Sequence, residues 1–262
     1  MKQSFPIFVI NLPRDIARKQ KIESHLKFIG AEYAIIDGFY GDNERVVERY
    51  SEEKTLKEQG KSLLTGEKGC AFSHAFIYEK IIKENIPYSV ILEDDAILPP
   101  DFIDIVEREI NKKNKKWDWL SFDYRYVGLI FFKSWLIATY KTIRQNPSFF
   151  FYACIKLPYM FFLSFFETSR DFIARKIISY RGPKYFFRPL YNAGAYILTL
   201  DGAKKLLPLT NPLCMSADRT PNVARLKAGF HLYGYVPLLV HQNSEFESNT
   251  IRSDIEWLSI DK

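Results

Sequence analysis

The sequence predicts a single α/β domain built on a mostly parallel sheet. Short apolar runs alternate with amphipathic segments up to residue 122, and the joints between them are short. Strand, helix, strand in this order is the pattern of parallel βαβ units. The length of 262 residues, with 47% hydrophobic and 26% charged residues, suits one large domain over 1–262 and excludes an intrinsically disordered chain.

The first elements form a βαβ unit. Residues 5–12 are predicted to be a buried strand because their apolar residues are largely consecutive and partly β-branched. A helix follows, with its apolar residues near one face and Gly30 placed to end it. Residues 33–36 predict a second strand, and the highly charged stretch 41–62 is expected to be a solvated excursion.

The next elements bring acidic residues to the sheet. A helical pattern covers 67–85, and residues 88–92 are predicted to be another buried strand. The acidic triplet Glu93–Asp95 follows that strand directly. Open α/β sheets bind their ligands at the carboxyl ends of their strands, so the sequence predicts the functional site here.

The remaining elements complete the α/β pattern on either side of an interruption. Apolar periodicity and capping residues predict a helix from Asp101 to Asn111, a strand over 117–122, a strand over 195–200, a helix over 202–207, a helix over 217–228 and a strand over 231–236.

The interruption is an aromatic and basic insertion, residues 124–184. Its first part, 124–166, contains no acidic residue but 15 aromatic residues and five bases, in a chain of net charge +6. This composition is typical of an element that lies on an anionic membrane surface or faces the acceptor. Packing of these aromatic residues into a core or a dimer interface is the alternative.

Several classes of protein are disfavoured by what the sequence lacks. The three cysteines form no CxxC pair, which argues against a disulfide framework or a structural zinc site and favours the cytosol. No uncharged apolar run reaches the length needed to cross a bilayer. The absence of GxSxG, Walker A and GxGxxG motifs argues against an α/β-hydrolase, a P-loop enzyme and a standard dinucleotide-binding protein. The sequence has no stripe of basic residues interleaved with single stacking aromatic residues, so it does not indicate a protein that binds nucleic acid.

Two groups of residues carry candidate chemistry. Glu93 and Asp95 are two positions apart beyond a strand end, where both carboxylates can reach one hard divalent cation; a solvated acidic turn is the alternative. His241 is a further candidate ligand for that cation. Ser73 and His74 are expected in the first turns of a helix, whose free N–H groups favour phosphate, although both also fit ordinary buried positions.

The order of these motifs resembles glycosyltransferase family 25. The resemblance rests on Ile10-Asn11-Leu12 with Arg14 and Arg18, Gly69-Cys70 with Ser73-His74, Ile91-Leu92-Glu93-Asp94-Asp95, and Tyr191-Asn192-Ala193-Gly194-Ala195-Tyr196 with Gly202-Ala203. It implies a GT-A type fold with a Rossmann-like, mostly parallel central sheet and flanking helices. It also implies inverting transfer of a hexose, most often galactose from UDP-galactose, to a bacterial lipooligosaccharide or lipopolysaccharide acceptor.

The resemblance also implies roles for individual residues. Asp95 is the best candidate for the direct Mn²⁺ (or Mg²⁺) ligand, and Asp94 is expected to contact the ribose or sugar. The other residues expected to bind the UDP-sugar donor are Asn11, Arg14, Asp37, Ser73, His74, Asn192 and Gly194. Asp218 is the preferred general base, with a plain helix cap as its alternative.

The implied acceptor places the enzyme at a membrane. A lipid-linked oligosaccharide stays at the inner face of the cytoplasmic membrane, so a cytoplasmic, peripherally bound enzyme is expected, with its oligomeric state undetermined. Two rival functions are considered. One is a non-catalytic, membrane-surface glycan-binding protein that keeps the sheet but not turnover, and the other is a metal-dependent phosphoester hydrolase that uses the same acidic cluster.

Overall fold

The computed structural model describes residues 3–126, 140, 143–144, 147, 150–151, 154–158, 161, 181–186 and 189–243. Most of the predicted insertion 124–184 lies outside the described residues. The described strands are β1 (Ile7–Asn11), β2 (Ala34–Asp37), β3 (Tyr88–Glu93), β4 (Ala96–Ile97), β5 (Trp119–Ser121), β6 (Arg125–Tyr126), β7 (Gly182–Tyr185), β8 (Leu190–Tyr191), β9 (Ala195–Thr199), β10 (Leu232–Val236) and β11 (His241–Gln242).

Helices flank these strands. Among the described residues these are α1 (Ile16–Phe28), α2 (Glu44–Arg49), α3 (Glu52–Gln59), α4 (Thr65–Lys83), α5 (Phe102–Asn111), α6 (Leu200–Leu206) and α7 (Thr220–Lys227), with a 3₁₀ helix over Leu207–Thr210. In the described part of the chain, no helix is both long and apolar enough to span a bilayer.

The central sheet is mostly parallel, as the sequence predicts. Its seven described strands have the order β2-β1-β3-β9-β5-β10-β7. The strands β2, β1, β3, β5 and β10 run in one direction, whereas β9 is antiparallel to both of its neighbours and β7 is antiparallel to β10. Two small antiparallel pairs, β4 with β11 and β6 with β8, lie outside this sheet.

Hydrophobic layers cover both faces of the sheet, which explains why its strands are apolar on both sides. On one face, Phe8 and Ile10 pack in a cluster that contains residues of α4, α6 and α7. On the other face, Ile7 and Val9 pack in a cluster that contains residues of α1 and α5. Alternate residues of β1 therefore serve opposite layers, and the whole strand is buried.

The charged stretch 41–62 is not a plain solvated excursion. It contains α2 and α3, whose N-caps Asn43 and Ser51 accept hydrogen bonds from backbone N–H groups of the first turn. Each of the two short helices also buries one side chain, Val46 and Thr55 respectively. These helices are defined by capping through short polar side chains and not by apolar periodicity. Periodicity alone therefore did not predict them.

Candidate functional site

One edge of the sheet collects the predicted site residues. In the parallel register Asn11 lies opposite Asp37, and Ile10 lies opposite Glu93. The antiparallel β9 begins at this same edge, because Ala195 pairs with Leu92. The carboxyl ends of β1, β2 and β3 therefore meet the segment that precedes β9, as the ligand-binding edge of an α/β sheet requires.

The acidic triplet forms the turn between β3 and β4. Glu93 ends β3, Asp94 and Asp95 make the turn, and β4 follows at once. The strand β11 pairs with β4, and the Asn243 N–H donates to the Asp95 carbonyl oxygen at 2.8 Å. The segment after β10 thus packs along the acidic turn.

Asp94 is held by the protein itself. Its Oδ2 accepts from Asn11 Nδ2 at 2.7 Å, and its Oδ1 accepts from an Arg18 guanidinium N–H at 3.0 Å. Burial raises the pKa of Asp94, while the contacts with Asn11 and Arg18 oppose that rise. Arg18 did not enter the predicted site, and its role is to pair with this buried carboxylate. Each oxygen still has a lone pair for a ligand hydroxyl.

The Arg18 contact leads to a prediction about stability. Replacing Arg18 with glutamine is expected to lower the free energy of unfolding by about 1.5 to 3 kcal/mol, because a buried carboxylate loses its charged donor. Urea unfolding measures this. Lys19→Gln, on the same helix, is the matched control and is expected to change stability by less than about 0.5 kcal/mol. Equal losses in the two variants would show that the Arg18 to Asp94 pair contributes nothing.

In the described part of the chain, the Glu93 side chain hydrogen-bonds to residues of α4, unlike the side chains of Asp94 and Asp95. Its Oε1 lies 3.3 Å from His74 Nε2 and 3.5 Å from Cys70 Sγ. Burial alone would raise the pKa of Glu93, but the hydrogen bonds from His74 and Cys70 and the positive charge nearby bring it below its ordinary value. The Glu93 N–H donates to the Gly194 carbonyl oxygen at 2.7 Å, which ties β3 to the start of β9.

Asp95 contributes a carboxylate with an unused oxygen. Its Oδ1 is buried and has no hydrogen-bond partner among the described residues. Burial, together with the charges of Glu93 and Asp94, raises the pKa of Asp95 to about 7. A buried carboxylate without a compensating donor is costly, so this position is suited to a cation.

Asp123 is a second such carboxylate, and sequence reasoning missed it. It follows β5 by two residues, and its Oδ1 is also buried without a partner among the described residues. Burial and then the charge of Glu93 raise the pKa of Asp123, and Asp95 adds to the effect. The placement rule that identified the triplet also applies here, because Asp123 directly follows the predicted strand 117–122.

The Asn192 and Gly194 motif positions Asp123. Asn192 Nδ2 donates to Asp123 Oδ2 and to its main-chain oxygen, both at 3.0 Å. Asn192 has φ of 88°, in the left-handed region that asparagine tolerates better than most residues. A Cβ at Gly194 would lie 2.4 Å from Asp123 Oδ2, so only glycine permits this approach. The motif predicted to line the sugar pocket therefore also holds an acidic residue in place.

Ser73 and His74 do not lie at a helix N-terminus. The helix α4 begins at Thr65, so both residues belong to its third turn and are buried. Ser73 Oγ accepts from the Phe39 N–H at 2.9 Å and donates to the Gly69 carbonyl at 2.7 Å. The expectation that they occupy the first turns is wrong, because the helix starts earlier than its apolar pattern: Glu67 caps the Leu64 N–H at 2.7 Å.

The other predicted donor-binding residues remain open to solvent at the same edge. Asp37 is exposed at the end of β2. The Arg14 side chain is 56% exposed, and its guanidinium lies 5.2 Å from the centre of the Tyr40 ring. The Arg14 N–H donates to Tyr40 Oη at 3.2 Å. A charged and aromatic surface therefore borders the acidic turn.

Asp218 and His241 both follow the acidic residues in the sequence and belong to different segments of the fold. Asp218 precedes α7, which starts at Thr220 and not at 217, and it accepts from Ser216 Oγ at 2.7 Å. Its charge contributes to raising the pKa of Cys70, whose main cause is burial. His241 is exposed in β11, opposite Ile97. In the described residues, the grouping of metal-type ligand atoms involves neither of them.

The chain is similar to proteins of known activity. A family model described as glycosyltransferase family 25 (LPS biosynthesis protein) matches residues 4–220. The chain is 31% identical over 102 residues to Procollagen galactosyltransferase 1-A of Xenopus laevis, which covers 36% of this chain and 16% of that protein. It is 32% identical over 79 residues to lipooligosaccharide biosynthesis protein lex-1 of Haemophilus influenzae, covering 30% and 24% respectively. The matches thus span less than a quarter of either relative.

A solved structure also aligns with most of the chain. It is described as a glycosyltransferase involved in the glycosylation of the major capsid of PBCV-1. The alignment covers 93% of this chain and 94% of that one, with 10% identity and a TM-score of 0.45.

Proposed function

This chain belongs to glycosyltransferase family 25, and we propose that it transfers galactose from UDP-galactose, with inversion, to a lipooligosaccharide or lipopolysaccharide acceptor. Family membership makes it a glycosyltransferase that uses a sugar donor and a glycan acceptor. The names of its relatives support the finer proposal: one is a galactosyltransferase and another serves lipooligosaccharide biosynthesis. The observation that carries the proposal is that Asp95 and Asp123, at the ligand-binding edge of the sheet, each have a buried carboxylate oxygen with no hydrogen-bond partner in the described part of the chain.

These two oxygens fit a hard divalent cation. Carboxylates are the ligands that Mn²⁺ and Mg²⁺ prefer. Burial and the negative charge of neighbouring acids raise the pKa of both Asp95 and Asp123, and a cation would compensate that negative charge. We assign the cation to Asp95 and Asp123, with Glu93 and His241 as further candidate ligands. Such an ion would neutralise negative charge on the departing diphosphate.

The protein's own residues position the two substrates. Asp94, fixed by Asn11 and Arg18, holds the acidic turn and offers lone pairs to a ribose or sugar hydroxyl. Arg14 and Asp37 offer an exposed surface for the nucleotide at the same edge. Ser73 and His74 support this wall of the site from within α4, and Asn192 with Gly194 forms the wall beside Asp123.

Asp218 is the proposed general base. The charge of its carboxylate contributes to raising the pKa of the Cys70 thiol, whose main cause is burial, and Cys70 contacts Glu93. Asp218 therefore lies on the Cys70 side of the site. A base there would take the proton of the acceptor hydroxyl as that oxygen attacks the anomeric carbon. The Ser216 hydrogen bond orients the carboxylate for this role.

A donor screen tests the proposed function. UDP release is measured with Mn²⁺ for a panel of UDP-sugars, with and without deacylated lipooligosaccharide. We expect acceptor-dependent release from UDP-galactose, with no release of inorganic phosphate from the donor alone. Release from a different UDP-sugar would show that this sugar nucleotide, and not UDP-galactose, is the donor. Failure to bind any UDP-sugar in equilibrium dialysis would overturn the proposal.

We also propose that the enzyme works as a peripheral protein at the inner face of the cytoplasmic membrane. A lipid-linked acceptor requires access to that surface. In the described part of the insertion, the exposed large apolar side chains are Tyr140, Phe150, Phe151, Ile155, Leu157 and Phe161. Exposed aromatic residues among bases favour an anionic membrane surface, where each base contributes about 1 kcal/mol.

The exposed aromatic residues of the insertion lead to a prediction about membrane binding. Phe150→Ser with Phe151→Ser is expected to weaken binding to anionic vesicles by about tenfold or more, because two exposed rings no longer enter the interface. Vesicle sedimentation measures this, with turnover on a deacylated acceptor retained. Phe28→Ser is the matched control, since Phe28 is 80% exposed but lies on α1. Equal weakening by the control would contradict the assignment.

A further inference from the structure

Three side chains of different chemistry meet behind the acidic turn. Cys70 and His74 are one turn apart on α4 and therefore share a face of the helix. Glu93 reaches them from the end of β3. The ligand-type atoms of the three side chains all lie within 4.8 Å of one another. The mechanism proposed above uses neither the thiol nor this face of the imidazole.

Two of the three separations among these atoms match those of a tetrahedral zinc site, and the third, between Cys70 Sγ and a His74 ring nitrogen, is within 4.8 Å. Zn²⁺ binds thiolate sulfur at about 2.3 Å, and imidazole nitrogen and carboxylate oxygen at about 2.0 Å. Tetrahedral angles then place sulfur about 3.5 Å from oxygen, and nitrogen about 3.3 Å from oxygen. The observed separations are 3.5 Å from Cys70 Sγ to Glu93 Oε1 and 3.3 Å from His74 Nε2 to the same oxygen.

The imidazole is already oriented for this role. His74 Nδ1 lies 2.7 Å from Tyr196 Oη and can donate to it. Nε2, which donates to Glu93 when no metal is bound, would then release its proton on metal binding and direct its lone pair at the ion. Metal-binding histidines are usually held in this way through their second nitrogen. Tyr196 is itself fixed, because it stacks on Trp119 with ring centroids 3.4 Å apart and contacts Tyr78 Oη at 3.3 Å.

The cluster is also open on one side. The His74 side chain is 1% exposed, whereas Glu93 is 27% exposed and Cys70 is half-buried. An ion can therefore enter past Glu93 and Cys70, and three protein ligands leave a fourth position for water. A thiolate with an imidazole selects Zn²⁺ over Mn²⁺ or Mg²⁺, which prefer the all-oxygen environment of Asp95 and Asp123.

We propose that Cys70, His74 and Glu93 form a Zn²⁺ site separate from the Mn²⁺ or Mg²⁺ position, so that Glu93 is a ligand of the zinc and is withdrawn as a candidate ligand of the other cation. Zinc in this site takes the Glu93 carboxylate as a ligand and fixes the end of β3 against α4. The proposal goes beyond sugar transfer, and metal binding can be measured in the absence of any donor or acceptor. Its failure is therefore distinguishable from failure of the proposed function.

The test uses cobalt as a spectroscopic substitute for zinc. In the Cys154→Ser/Cys214→Ser chain, Cys70 is the only remaining thiol, because the sequence has three cysteines. We expect this chain to bind one Co²⁺ with a thiolate-to-cobalt charge-transfer band. One equivalent of Zn²⁺ is expected to abolish the band, and a hundredfold excess of Mn²⁺ is not. Absence of the band in this chain would overturn the proposal.

Two variants then assign the ligands. Cys70→Ser in the otherwise native chain is expected to remove the band and to weaken zinc binding at least a hundredfold. Tyr196→Phe keeps the stacking on Trp119 but loses the contact with His74, and it is expected to weaken zinc binding by about tenfold. Unchanged zinc affinity in Cys70→Ser would place the ion elsewhere and reject the site. Circular dichroism confirms that each variant is folded.

Discussion

Replacing Asp95 with asparagine is expected to lower sugar transfer at least a hundredfold while the protein stays folded. Asp95 offers a buried carboxylate oxygen without a partner among the described residues, and its charge acts on Asp123, whose Oδ1 is buried in the same way. Loss of several kcal/mol of charge stabilisation at the leaving group corresponds to a factor of ten for each 1.4 kcal/mol. UDP release at saturating donor and acceptor measures the effect, with Mn²⁺ varied over a wide range.

Stability separates a functional role for Asp95 from a structural one. A buried carboxylate without a donor costs free energy, so Asp95→Asn is expected to unfold at the same temperature as the native chain or higher when no metal is present. Added Mn²⁺ is expected to raise the unfolding temperature of the native chain but not that of Asp95→Asn, since a ligand stabilises the state that binds it.

The matched control for this substitution is Asp101→Asn. Asp101 precedes α5, is exposed, and makes no side-chain capping hydrogen bond there. It is expected to retain native turnover and native Mn²⁺ dependence. Turnover above a tenth of the native value in Asp95→Asn, or the same Mn²⁺ stabilisation in both variants, would show that Asp95 does not hold the cation.

The location of the site could be predicted because it follows from sheet geometry. A continuous apolar run, residues 88–92, followed at once by Glu93–Asp95 places acids at a carboxyl edge whatever the rest of the fold is. Asp123 follows the same rule after 117–122. Asp123 stands alone after its strand, and a single acid is a weaker pattern than a cluster of three. Applying the rule to every strand end would have identified it.

What the sequence did not predict depends on contacts between distant residues. The partners of Asp94 come from β1 and α1, and Arg18 lies 76 positions away from it. The antiparallel direction of β9 is likewise a property of pairing with β3 and β5, which the apolar pattern of one strand cannot indicate. The local sequence pattern therefore predicts where the acidic residues lie. It does not predict which of their carboxylate oxygens lack a hydrogen-bond partner among the described residues.

Adding a single methyl group at Gly194 is expected to reduce both activity and stability. The new Cβ would lie 2.4 Å from Asp123 Oδ2, so that carboxylate has to move. The backbone of Gly194 cannot yield instead, because its carbonyl accepts the Glu93 N–H at 2.7 Å within the sheet edge. We expect Gly194→Ala to lower turnover at least tenfold and the free energy of unfolding by about 1 to 3 kcal/mol.

Two comparisons assign the loss at Gly194 to displacement of Asp123. Gly30→Ala adds a methyl group with no atom within 4 Å but at φ of 70°, so it is expected to cost about 1 kcal/mol of stability with turnover retained. In an Asp123→Ala background the clash partner is gone, so adding Gly194→Ala is expected to cost less stability than it does in the native chain. Equal costs in the two backgrounds would mean that the methyl group acts on the backbone and not on the Asp123 carboxylate.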